Sequence, residues 1–127
     1  MIKQVDLTPY NLDSAEGLAN AIAYLLDFKK GKDVVSIDVT QKTAEVDYFV
    51  IASAFSQSAV KSLSDFVEDE LSKAGLEPVH RDREGKWVAL DYGSVIMHIF
   101  YKELRDFYQI ERLWSDGINE KRFASED

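Results

Sequence analysis

The feature that most constrains this chain is the stretch Gly85-Lys-Trp-Val-Ala-Leu-Asp-Tyr-Gly-Ser-Val-Ile-Met-His-Ile-Phe-Tyr101. Side chains on a strand alternate between two faces, so a pattern of period two on both sides of Gly93-Ser94 demands a hairpin with unlike sides. A two-residue loop at Gly93-Ser94 sets the register: Tyr92 opposite Val95, Leu90 opposite Met97 and Val88 opposite Ile99. That side is apolar and belongs in a core. The same register puts Asp91 opposite Ile96, Ala89 opposite His98 and Trp87 opposite Phe100. This second side is too polar for a plain core and too aromatic for a plain solvent face. It has the make-up of a surface that touches something.

The flanking segments supply the rest of a sheet and its cover. Asp13 or Ser14 can cap a helix to about Lys30, with Leu18, Ile22, Leu25 and Leu26 on one face. Asp33–Val39 and the apolar run Tyr48–Ala54 read as strands, joined by the polar link Thr40–Asp47. That link is shorter than the dozen or so residues a parallel crossover needs, so antiparallel pairing is expected. Ser56 caps a second helix through about Ala74, which buries Val60, Leu63, Phe66, Val67 and Leu71. Asp65, Glu68, Asp69 and Glu70 form its outer stripe, expected to be solvated. Pro78–Arg81 suits an edge strand, because proline has no amide for a central ladder. Lys102–Leu113 is helical and stops at Trp114-Ser-Asp-Gly117. The expectation is an α/β chain of the α+β kind: a single mixed four- to five-stranded sheet with packed helices. A loosely held lead-in over residues 1–12, one domain over 13–117 and a polar, frayed tail over 118–127 complete it.

Composition narrows the function. At 127 residues and 46% apolar content the chain can bury one core. A net charge of −8 weighs against a protein held mainly by nucleic-acid phosphates and suits one that meets a basic protein. The chain has no cysteine, which removes disulfides, thiolate zinc sites and cysteine nucleophiles. No run approaches the roughly 18 apolar residues that span a bilayer, and the N-terminus is too polar for a signal segment. A cytoplasmic protein with no membrane partner is expected.

The chemical inventory is thin. His80 and His98 have no helical i, i+4 partner, so a metal would need distant carboxylates. His98 can serve as a base, as a hydrogen-bonding interface residue or as a packed ring, but its expected neighbours include no serine or cysteine nucleophile. Asp91, just before the turn, can hold local amides or meet a partner. Trp87 can be core or a binding hot spot. Asp33 and Asp38 stand five apart on one strand and point to opposite faces. Lys29, Lys30 and Lys32 complement the C-terminal dipole of the first helix, with a phosphate site as the lesser reading. Ala52-Ser-Ala-Phe-Ser56 opens a helix where amides can hold an anion, but it lacks the glycines of a phosphate loop. A binding module with no cofactor and no metal is favoured over an enzyme.

Four blocks carry a resemblance: Asp47-Tyr-Phe-Val-Ile-Ala-Ser53, Trp87-Val-Ala-Leu-Asp-Tyr-Gly93, Val95-Ile-Met-His-Ile-Phe100 and Glu103-x-Arg105-x-x-Tyr108-x-x-Glu111-Arg-Leu-Trp114. They fall in order over roughly residues 15–117, and on them the chain resembles the ribosomal silencing factor family, also called the Iojap family. The resemblance implies a fold similar to nucleotidyltransferases without their activity. It also implies docking on the L-fourteen protein of the large ribosomal subunit, which sterically blocks the small subunit and represses translation when nutrients are short. Trp87, Asp91, Tyr92, Gly93, His98 and Phe100 match the family's hairpin. Arg105, Tyr108, Glu111 and Trp114 match its helical block, where they either extend the docking surface or brace it. No direct sequence-specific nucleic-acid contact is expected of so acidic a chain. A homodimer when free is open, since an exposed aromatic patch can pair with itself. The rival reading is a nucleotide-binding or nucleotidyltransferase-type enzyme, which needs Asp33, Asp38 and Asp91 to converge. In one departure, Ala54 stands where the family usually has glycine, which puts in doubt any need for positive φ or close backbone approach there.

Overall fold

The computed structural model describes residues 4–108 and 110–123, with the side chains of 106–111 outside the described set. Its elements run α1 (Ala15–Phe28), β1 (Lys32–Asp38), β2 (Tyr48–Ala54), α2 (Gln57–Lys73), β3 (His80–Arg83), β4 (Trp87–Asp91), β5 (Val95–Tyr101), α3 (Lys102–Tyr108), α4 (Ile110–Trp114) and β6 (Glu120–Phe123). The strands make one mixed sheet in the order β3-β4-β5-β2-β1-β6. β2 and β5 pair in parallel at its centre, while β1 pairs antiparallel with β2 as the short link requires. The β4–β5 hairpin has the register that its alternation dictates, from Trp87 opposite Phe100 to Asp91 opposite Ile96. The Tyr92 amide donates to the Val95 carbonyl at 2.9 Å. Gly93 turns the chain at φ +90°, a conformation that side chains with a Cβ rarely adopt.

Both long helices begin where hydroxyls can cap them. Ser14 Oγ accepts from the Gly17 amide at 2.9 Å, and Ser56 Oγ accepts from the Ala59 amide at 3.0 Å. α1 and α2 then cover one face of the sheet. Leu18, Ile22, Leu25, Val60, Leu63 and Val67 pack there on Val88, Leu90, Val95, Met97 and Ile99. On the other face Leu104 and Trp114 pack on a second cluster built from Val35, Ile37, Phe49 and Ile51. β2 is therefore covered on both sides, which explains why it reads as an unbroken apolar run.

Three expectations need correction. The sheet has six strands, because Glu120–Phe123 pairs antiparallel with β1 instead of fraying. Polar residues are tolerated on this edge, Phe123 packs on the main core, and Asn119 Nδ2 ties the preceding turn to the carbonyls of Asp38 and Trp114 at 2.8 and 2.9 Å. The lead-in is not loose over its described part: Val5, Leu7 and Leu12 pack on the core, and the Asp6 amide donates to the Tyr24 hydroxyl at 3.0 Å. The acidic stripe of α2 is not wholly solvated. Arg81 and Arg83 alternate onto the helix side of β3 and grip the Glu68 carboxylate at 2.5 and 2.8 Å, and the Arg81 hydrogen bond holds its pKa below the usual range. As its alanine suggests, position 54 is buried at the end of β2 without positive φ, so this chain needs no glycine there.

Gly17 lies in the first turn of α1, and a Cβ built on it would stand 1.9 Å from the Asn11 carbonyl oxygen. Helix propensity alone favours alanine over glycine by about 1 kcal/mol, but overpacking against backbone costs about 1–3 kcal/mol or more. Gly17→Ala is therefore expected to lower stability on balance. Urea unfolding should show a lower midpoint at unchanged slope; a raised midpoint would contradict the packing described here.

Candidate functional site

Alternation along β3, β4 and β5 sends one set of side chains away from α1 and α2. His80 and Asp82 come from β3, Trp87, Ala89 and Asp91 from β4, and Ile96, His98 and Phe100 from β5. Their register places Asp91 between His80 and Ile96, and Ala89 between Asp82 and His98. Towards β1 and β2 this face is closed by Leu104 and Trp114. Over β4 and β5 it is half open: Trp87, Ala89, Asp91, Ile96 and His98 are each half-buried, and His80 and Asp82 are exposed. Three strands about 4.8 Å apart make a platform on the order of 10 Å across.

Rings stiffen the platform from one side. Trp114 meets Phe49 edge-on at 4.9 Å, Phe49 meets His98 edge-on at 5.5 Å, and His98 stacks on Phe100 at 5.8 Å with planes 8° apart. Burial in this apolar setting lowers the His98 pKa to about 4. The imidazole is thus neutral near pH 7 and has little proton affinity left for work as a general base. Asp91 Oδ1 accepts from the Gly93 amide at 2.8 Å, so the carboxylate holds the turn while staying half exposed.

The other residues singled out from the sequence have different placements. Phe100 is only 7% exposed and supports the platform from beneath. Arg105 is 3% exposed, and its Nη1 donates to Ser53 Oγ at 2.8 Å; it braces the sheet and cannot meet a partner directly. Trp114 is half-buried against Phe49, a bracing position as well. Tyr92 packs against the main core on the opposite face, where burial pushes its hydroxyl pKa up. Tyr108 and Glu111 have side chains outside the described residues. Sequence reasoning missed His80 and Asp82, although the alternation of His80-Arg-Asp-Arg83 holds the signal: the arginines turn to α2, which leaves the other two on the platform.

The three aspartates that an enzyme would need do not converge. Asp33 faces Lys102 at 3.8 Å, whereas Asp38 Oδ1 accepts from the Thr40 amide at 2.9 Å and hydroxyl at 2.6 Å. Asp38 and Asp91 sit on strands three spacings apart, about 14 Å. Among the described residues no group of three His, Asp or Glu side chains could hold a metal ion, and no helix is long and apolar enough to cross a membrane.

Comparison with known proteins adds an independent line. A family model described as "Ribosomal silencing factor during starvation" matches residues 12–127. A Chromobacterium violaceum protein named Ribosomal silencing factor RsfS is 35% identical over 96 residues, covering 74% of this chain and 78% of its own length. A protein of the same name from Haemophilus influenzae is 36% identical over 94 residues, covering 71% and 90%. A crystal structure of a Chromobacterium violaceum protein superposes with a TM-score of 0.72 at 31% identity, covering 82% of this chain and 86% of that one.

The half-buried histidine, packed between the Phe49 and Phe100 rings, makes stability depend on pH. Its pKa is about 4 when folded and about 6.5 when unfolded, so between those values the unfolded chain holds the extra proton. The stability contributed by neutral His98 is whole above pH 6.5 and lost as the pH falls towards 4. Its size is on the order of 2–3 kcal/mol. In urea unfolding at pH 7 and pH 4.5, His98→Phe should lose less stability on acidification than the wild type. Equal losses in the two proteins would show that the ring is not desolvated as described.

Proposed function

The chain belongs to the ribosomal silencing factor family, and from that membership we propose that the half-open β3–β5 platform docks on the L-fourteen protein of the large ribosomal subunit. One observation carries the reading: Trp87, Ala89, Asp91, Ile96 and His98 stay partly accessible on a sheet whose other face is buried under two helices. A rigid platform loses little conformational entropy on binding, so more of its contact energy appears as affinity. Trp87 supplies the large apolar anchor, Ile96 and the neutral His98 the floor, and Asp91 and Asp82 the acids that meet basic groups. At short range the acids of the platform complement a basic ribosomal protein. Once docked, the protein acts by the volume it fills: it keeps the small subunit from its joining surface and so silences translation stoichiometrically, with no bond made or broken.

Truncating a hot-spot tryptophan costs on the order of 2 kcal/mol or more, about thirty-fold in affinity. Trp87→Ala, checked by circular dichroism to be folded, should bind purified large subunits and isolated L-fourteen protein correspondingly more weakly. Ile96→Glu, which puts a charge on the platform, should do the same. Tyr92→Phe, on the opposite face, should bind as the wild type does. Wild-type affinity in folded Trp87→Ala and Ile96→Glu would rule the platform out as the dock.

A further inference from the structure

Two sequence features that the platform does not use meet at one place in the fold. Lys29, Lys30 and Lys32 from the α1–β1 junction line a pocket of about 210 Å³ together with Ala54 and Phe55 from the β2–α2 junction. Lys29 and Lys30 are exposed, and Phe55 is 62% exposed. Lys30 takes a left-handed turn at φ +63°, which carries the chain off the end of α1 and into β1. The Lys29 ammonium lies 5.1 Å over the Phe66 ring.

The sheet places this pocket at the Trp87 end of the platform. Lys32 is opposite Ser53, Ser53 opposite Phe100 and Phe100 opposite Trp87. In the next row Ala54 is opposite Tyr101, whose amide donates to the Lys86 carbonyl at 2.6 Å, and Lys102 follows directly. Lys29, Lys30, Lys32, Lys86 and Lys102 thus gather at one end of a chain whose net charge is −8. The acids nearby in sequence include the half-buried Asp27, Asp33, which faces Lys102 at 3.8 Å, and the exposed Glu84 and Glu103.

We propose that this lysine-rich end, with Phe55, is a second contact that grips the sugar-phosphate backbone of ribosomal RNA as the platform docks; it rests on the docking reading above. The large subunit is mostly RNA, so an acidic protein approaching it meets long-range repulsion that a cationic leading edge offsets. The lysines supply sequence-independent phosphate contacts, and Phe55 offers an open ring for a base to stack on. An acidic protein segment would satisfy the lysines but would leave that ring without a stacking partner, which favours RNA.

The test compares wild type, the double variant Lys29→Gln/Lys30→Gln and Phe55→Ala for binding to intact large subunits, to isolated L-fourteen protein and to RNA extracted from the subunit. Salt is varied from about 50 to 200 mM, where phosphate contacts report most strongly. The double variant should bind subunits about ten-fold more weakly near 100 mM salt, with the slope of log K against log salt reduced by about 1.5–2. Its weak binding to free RNA should disappear, and its affinity for isolated L-fourteen protein should not change. Phe55→Ala should weaken binding to subunits and to RNA by several-fold at an unchanged slope, as loss of stacking without loss of charge requires. Unchanged subunit affinity and slope in the double variant would overturn the proposal, as would an equal loss against the isolated protein, which would show the lysines reading a protein surface. Wild type that binds subunits but not isolated L-fourteen protein would instead overturn the docking reading, while the slope on subunits would still report on the lysines.

Discussion

The parallel pairing of β2 with β5 is the interaction on which the rest of this structure depends. It joins Tyr48–Ala54 to Val95–Tyr101 across a connection that holds α2, β3 and β4, and so stitches the two halves of the chain together. β2 is flanked by strands on both edges and covered on both faces, so its backbone groups depend on the ladder for their hydrogen bonds. The two apolar clusters meet across it. Its register also brings Phe49 beside Ile96 and Ile51 beside His98, which makes the aromatic chain beneath the platform possible.

The two faces of the sheet then meet different fates for a simple reason of length. α1 and α2 have 14 and 17 residues and cover their side; α3 and α4 have 7 and 5 and reach only part of the other. What remains is a surface neither core nor ordinary exterior. Its rings are braced by Trp114 and by the Arg105–Ser53 hydrogen bond, while Trp87, Ile96 and His98 still meet solvent. Such a surface is stiff without being sealed, the condition a docking platform needs.

Charge is divided along the same lines. Arg81 and Arg83 are engaged by Glu68 on the helix-covered side, so they add little positive potential outside. Lysines collect at the Trp87 end of the sheet. The aggregate value of −8 therefore conceals an uneven distribution, with Asp82 and Asp91 on the platform and Lys29 and Lys30 at its Trp87 end.

The hairpin register, the Ser14 and Ser56 caps and the buried run of β2 were all legible in the amino-acid order. Each follows from alternation or from a hydrogen bond between residues a few positions apart. The same local logic placed Trp87, Asp91 and His98 on one face. It could not show that Arg105 points inward to Ser53, that Phe100 lies beneath the platform, or that Glu120–Phe123 adds a sixth strand beside β1. Those facts depend on which remote segments come together, with sequence separations such as the 52 residues between Ser53 and Arg105. Periodicity determined what each strand would offer to either side. Only tertiary packing decided how much of each offering would be covered, because burial is a property of neighbours that the local sequence does not contain.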